Sequence, residues 1–93
     1  MSLDISFYKD KKVLVTGHTG FKGSWLCRIL TLVGAQVTGY SLEPPTDPSL
    51  FRLMELEKTM DSVMGDIRDF AYLQKTFERV QPELVIHLAA QAL

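Results

Sequence analysis

Short blocks of apolar residues alternate along the chain with longer stretches whose apolar residues are spaced as on one face of a helix. Lys12-Val13-Leu14-Val15-Thr16 is brief, β-branched and nearly all apolar, the composition of a parallel strand covered on both faces. Phe21, Trp25, Leu26, Ile29, Leu30 and Val33 follow at helical spacing, which predicts a helix with this face, Trp25 included, in the core and with Gly34 as its stop. Ala35 to Ser41 reads as a second strand, one crossover helix away from the first. Glu43-Pro44-Pro45-Thr46-Asp47-Pro48 is a loop, since proline removes amide donors and turns the preceding residue away from helix. Ser49 to Glu57 is dense enough in apolar residues for a short helix capped by Ser49. Thr59 to Met64 suggests a third strand ending at Gly65-Asp66, followed by a helix from about Asp69 to Val80 with an aspartate as its cap. Beyond Pro82, Leu84-Val85-Ile86-His87-Leu88-Ala89-Ala90 is a fourth strand of the buried type.

The order β-α-β-α-β-α-β is that of an α/β fold, a Rossmann-like parallel sheet, and corresponds to the N-terminal half of a doubly wound domain. With strands ordered 3-2-1-4-5-6, the fourth would normally pair with a fifth. If residues 1–93 are the whole chain, an apolar edge stays open, and self-association through the fourth strand, or a homo-oligomer, is expected.

Between the first strand and the first helix lies Thr16-Gly17-His18-Thr19-Gly20-Phe21-Lys22-Gly23. A pyrophosphate must approach the main chain closely and rest on the unpaired amides that open a helix, where the dipole is positive. A β-carbon would obstruct that approach. Gly17 would permit the tight turn, Gly20 would let phosphate reach the backbone, and Gly23 would let helix and strand pack closely. The spacing is G-x-x-G-x-x-G, a variant of the older G-x-G-x-x-G fingerprint.

Composition narrows the alternatives. The chain has 93 residues, 46% of them hydrophobic, which suits one small folded unit. A net charge of −1 with scattered Lys and Arg offers no footprint for nucleic acid or an anionic membrane, so a small-molecule partner is expected. Cys27 is the only cysteine, which excludes an internal disulfide, and it reads as core packing. No apolar run approaches the length needed to span a bilayer, and a cytoplasmic protein is expected.

Three stretches, Thr16 to Gly23, Gly65-Asp66-Ile67-Arg68-Asp69 and His87-Leu88-Ala89-Ala90-Gln91, resemble the extended short-chain dehydrogenase/reductase family over nearly the whole chain. Within it, the run from His18 to Leu26 and Tyr40-Ser41-Leu42-Glu43-Pro44-Pro45-Thr46 are most similar to the bacterial CDP-glucose 4,6-dehydratase group. The resemblance implies a lyase in which NAD takes a hydride from C4 of the hexose, water leaves across C5 and C6, and the hydride returns to C6. CDP-glucose would become CDP-4-keto-6-deoxyglucose, a precursor of deoxysugars in bacterial lipopolysaccharide. The family's Tyr-x-x-x-Lys pair, its neighbouring Ser or Thr and its acidic pair all fall beyond the fourth strand. Residues 1–93 are therefore expected to be an incomplete NAD-binding domain, without catalytic residues and inert alone.

By family position, the backbone of His18, Thr19, Gly20, Phe21 and Lys22 lines the pyrophosphate together with Gly17 and Gly23, and the Lys22 ammonium adds charge beside it. Tyr40 and Ser41 end the second strand near the adenosine, Asp66 and Ile67 hold the adenine ring, and Leu88, Ala89 and Ala90 pass beneath ribose and nicotinamide. His18 is expected to serve through its backbone, because no His, Cys or carboxylate lies at metal-ligand spacing from it, and His87 reads as a satisfied core histidine. The second strand ends in Tyr40-Ser41-Leu42, with Glu43 only afterwards, so the usual acidic ribose ligand is missing or displaced. No arginine stands there for a 2′-phosphate either. Local chemistry leaves NAD and NADP open, and the resemblance implies NAD. A nucleotide-sugar epimerase, a GDP-mannose 4,6-dehydratase and a non-catalytic dinucleotide-binding module are the alternatives.

Overall fold

The computed structural model describes residues 5–42 and 50–88. The expected loop at 43–48, the Ser49 cap, and Ala89 and Ala90 lie outside the described residues. A 3-10 turn at Ile5–Tyr8 leads into β1 (Lys12–Thr16), α1 (Phe21–Leu32) and β2 (Gln36–Ser41). Then follow α2 (Leu50–Leu53), a 3-10 turn at Leu56–Lys58, β3 (Asp61–Met64), α3 (Phe70–Val80) and β4 (Leu84–His87).

All strand pairs are parallel and the order is β3-β2-β1-β4, so the chain has the Rossmann-like arrangement expected of half a doubly wound sheet. The direction of winding reverses between β1 and β4. Thr16 stands level with Tyr40 on one side and His87 on the other, which brings the carboxyl ends of three strands to one rim. Among the described residues β4 pairs with β1 alone, and no described strand covers its other edge.

Strand alternation divides the core between the two faces. Val13, Val15 and Val37 point to the side of α1 and α2, where Cys27, Leu30, Phe51, Leu56 and Met60 complete one buried cluster. On the opposite side the Tyr40 ring meets Tyr72 of α3 edge-on, at 5.6 Å between centroids. That side is looser: Phe70 is 78% exposed and Val85 48% exposed.

The buried face of α1 agrees with the expected one at Leu30, and in the partial packing of Leu26, and differs elsewhere. Gly23, Ser24, Cys27 and Leu30 face the sheet, whereas Phe21, Trp25, Ile29 and Leu32 form an outward stripe, with Trp25 48% exposed. The cause is close approach. A β-carbon on Gly23 would overlap the Gly17 carbonyl oxygen and lie 2.8 Å from the His18 Cα, so only the small-residue face of the helix can meet the turn beneath it. Trp25 is therefore not a core residue.

Three further boundaries are corrected. The segment from Ser49 to Glu57 is not one helix, because Glu55 takes a left-handed conformation with φ of 52° and separates α2 from the 3-10 turn. β3 begins at Asp61 rather than Thr59, since the amides of Thr59 and Met60 both donate to the Leu56 carbonyl and close that turn. β4 is half open rather than buried along its length, and His87 is exposed at its end. At the end of α1 the expected stop is present, with Gly34 at a φ of 93° and its amide donating to Thr31.

Candidate functional site: a glycine turn at the carboxyl ends of the strands

Each glycine of the turn occupies a distinct structural setting. Gly17 has a φ of 81°, a conformation that a β-carbon disfavours, and its amide donates to the Tyr40 carbonyl at 3.0 Å. Gly23 is required by the contact just described. Gly20 differs from both, since its φ is −76° and a β-carbon there would meet only the Gly17 oxygen, at an ordinary 3.6 Å. The fold itself does not require a glycine at position 20. The space it leaves opens onto the start of α1.

That start is uncapped. Gly20 is the N-cap residue, among the described residues no side chain bonds to the first-turn amides, and no acidic residue lies in the first turn. The first intrahelical bond is Ser24 N–H to the Gly20 carbonyl at 2.8 Å. The amides of Phe21, Lys22 and Gly23 precede that bond and have no partner within the helix, which is the arrangement that receives an anion. The Lys22 side chain is exposed beside them.

The other side chains of the turn fasten its backbone. Thr19 Oγ1 lies 2.9 Å from Ser41 Oγ and donates to the Leu42 carbonyl at 2.9 Å, tying the turn to the end of β2. Ser24 Oγ donates to the His18 carbonyl at 3.0 Å. The His18 ring is completely buried, with Nε2 2.7 Å from Ser62 Oγ. Burial alone lowers its pKa to about 4, so the ring is neutral at pH 7. The sequence suggested only a backbone role for His18, and its side chain proves to be part of the core.

Around the rim, the Tyr40 ring is buried and its hydroxyl donates to the Asp66 carbonyl at 2.9 Å, so Tyr40 shapes the loop after β3 from beneath. The Asp66 carboxylate accepts from the Arg68 backbone at 2.9 Å and from Arg68 Nε at 3.0 Å. Those hydrogen bonds hold its pKa down to about 2. Asp66 remains partly accessible and Ile67 lies beside it. Across the sheet, the Leu88 amide donates to the Thr16 carbonyl at 2.9 Å, and Thr16 Oγ1 lies 2.6 Å from His87 Nδ1. The described site residues thus lie on one rim, linked by hydrogen bonds from β3 to β4.

Sequence reasoning missed Ser24, Ser62, Arg68 and the Thr16–His87 pair. The pair had a readable signal, since both residues close strands that the fold predicts to be neighbours. A cavity of about 490 Å³ opens on the α3 side, where Ile67, Phe70, Leu73, Phe77 and Val85 line it together with Thr16, Arg68 and His87. Cys27 takes no part in this site: it is buried under α1 and its pKa is pushed up to about 12 by burial, which makes a poor nucleophile.

The family model for GDP-mannose 4,6 dehydratase matches residues 14–93. The chain belongs to this family. It is 53% identical over 91 residues to a CDP-glucose 4,6-dehydratase of Salmonella typhimurium, an alignment that takes in 98% of the chain and 25% of that protein. Among solved structures, an epimerase from Methanothermobacter thermautotrophicus superposes with a TM-score of 0.72 at 30% identity, covering 94% of this chain and 25% of that one. A UDP-glucose 4-epimerase from Brucella ovis, solved in complex with NAD, gives 0.67 at 34% identity, covering 87% and 23%. The chain therefore spans about a quarter of the length of these relatives. They share its parallel Rossmann-like sheet.

Proposed function

We propose that this chain is the N-terminal, NAD-holding part of a nucleotide-sugar 4,6-dehydratase that converts CDP-glucose to CDP-4-keto-6-deoxyglucose. The observation that carries the cofactor assignment is the uncapped start of α1 beside Gly20, whose missing β-carbon the protein's own packing does not demand. The complex of NAD with a related epimerase supports the choice of cofactor. The high identity to a CDP-glucose 4,6-dehydratase supports the choice of substrate.

In this reading the chemistry that NAD would supply when bound is acceptance of a hydride from C4 of the hexose and its return to C6. The chain's own residues bind and orient. Gly17 bends the main chain, the amides from Phe21 to Gly23 receive the pyrophosphate, and Lys22 adds a positive charge at its edge. By family position Asp66 and Ile67 would meet the adenine, and Leu88, with Ala89 and Ala90 after it in sequence, is assigned to the ribose and nicotinamide. No residue of 1–93 carries the proton transfers of dehydration, so the chain by itself is inert. Left alone, it would also self-associate through the open edge of β4, giving a scattering mass above that of a 10.5 kDa monomer.

Calorimetric titration of NAD and NADP into the protein, repeated with Gly20→Val, tests the reading. NAD should bind to the wild type and be lost in the variant, with the fold unchanged by circular dichroism. No binding to the wild type, or equal binding to both, would refute it. The epimerases among the structural relatives favour a nucleotide-sugar epimerase as the second reading. The complete protein distinguishes the two, since a dehydratase yields a 4-keto-6-deoxy sugar and an epimerase returns an inverted hexose.

A further inference from the structure

His18 stands at the centre of the glycine turn, and its ring reaches three other elements. Nε2 lies 2.7 Å from Ser62 Oγ on β3, and the ring meets Phe51 of α2 edge-on at 5.2 Å between centroids. The same ring lies against Gly39 of β2, where any β-carbon would overlap it. Its own carbonyl is held by Ser24 of α1. Among the described residues Nδ1 has no hydrogen-bond partner, although the side chain is completely buried. Nε2–H donating to Ser62 leaves Nδ1 as a bare lone pair. The other tautomer would bury an unpaired N–H, so the first is assigned.

A residue serving only to fill this space would be better apolar, because an orphaned ring nitrogen costs stability that leucine would not. What histidine adds is direction. The bond to Ser62 fixes the ring's rotation, and the gap at Gly39 admits the ring in one place. The ring and the main chain of residues 17–20 belong to one rigid piece, so fixing the ring fixes the turn against β2 and β3.

We propose that His18 is a positioning residue that, through Ser62 and Gly39, aims the amides at the start of α1 toward a pyrophosphate. This rests on the reading of the glycine turn as a dinucleotide cradle. The ring itself does not touch the ligand. Its effect is therefore confined to the part of the ligand that the turn receives, and leaves the nucleoside end, held at Asp66 and Ile67, unaltered.

The test compares NAD and ADP, which carry a pyrophosphate, with adenosine, which does not. Affinities are measured by calorimetry, and for adenosine by chemical-shift titration, in the intact protein and in His18→Leu, Ser62→Ala and His18→Gln. His18→Leu and Ser62→Ala are expected to weaken NAD and ADP about tenfold while leaving adenosine within about twofold. His18→Gln, whose amide nitrogen reaches the position of Nε2, should recover most of the loss. A folded His18→Leu with wild-type affinity for ADP, or an equal loss for adenosine and ADP, would overturn the proposal. Should His18→Leu fail to fold, Ser62→Ala decides in its place. Failure of the wild type to bind either NAD or ADP would instead reject the cradle reading, and this inference with it.

Discussion

The two long helices begin in opposite ways. At α3 the protein supplies its own cap: Asp69 is the N-cap residue, and its carboxylate accepts from the Tyr72 amide at 3.2 Å, so one of the first-turn amides is paired from within. At α1 the N-cap is Gly20, and among the described residues no side chain accepts from the amides of its first turn. A helix whose only task is structural gains from a cap. One that leaves its first amides unpaired gives up that gain and keeps a place for an anion. On the proposed reading, the contrast separates the helix that supports the sheet from the helix that would meet a ligand.

The largest expected effect comes from the contact that seats α1. Gly23→Ala drives a methyl group into the Gly17 carbonyl, and urea denaturation should show a loss of about 3 kcal/mol, since backbone on both sides resists displacement. A comparable effect should follow from acid. The pKa of His18 is about 4 in the fold against 6.5 when unperturbed, so between those values the unfolded chain binds more protons. The contribution of neutral His18 is full above pH 6.5 and declines as pH falls toward 4, by at most about 3 kcal/mol. His18→Leu should flatten the pH profile in that window. Asp66 acts lower down, its contribution being present above pH 3.8 and lost as pH falls toward 2.

Gly20→Asp tests the comparison most directly, because it gives α1 the cap that α3 already has. Thermal stability should hold or rise slightly, while NAD affinity falls by about tenfold or more as a carboxylate takes the place of the phosphate. If NAD binding survives this change, the open start of α1 is not the phosphate site. The smallest effect is the reciprocal one. Asp69→Ala should cost about 1 kcal/mol in stability and leave NAD affinity unaltered, as measured by denaturation and calorimetry on the same sample.

Much of this was legible in the sequence. The four strands, their parallel order and the glycine turn follow from short apolar runs, crossover spacing and glycines set between strand and helix. The buried face of α1 was legible only in part, at Cys27 and Leu30, for a definite reason. Hydrophobic periodicity favours Phe21, Trp25 and Ile29, whereas the face that meets the sheet is chosen by how closely two backbones can approach, and that selects Gly23, Ser24 and Cys27. The break at Glu55 went unread because a left-handed glutamate has no sequence signature. His18 was hidden for a third reason. Its environment is assembled from Phe51, Ser62 and Gly39, which lie far from it along the chain, and no local pattern reports on residues brought together by folding.

The outward stripe on α1 gives this molecule an optical property. Trp25 is the only tryptophan and is half in water, two residues beyond Gly23. Its indole should emit at the long wavelengths of a hydrated fluorophore even in the native state, so unfolding will change its colour little. Contact of α1 with any other surface should shift the emission to the blue, without a label, making this side chain a built-in gauge of whether that helix is covered.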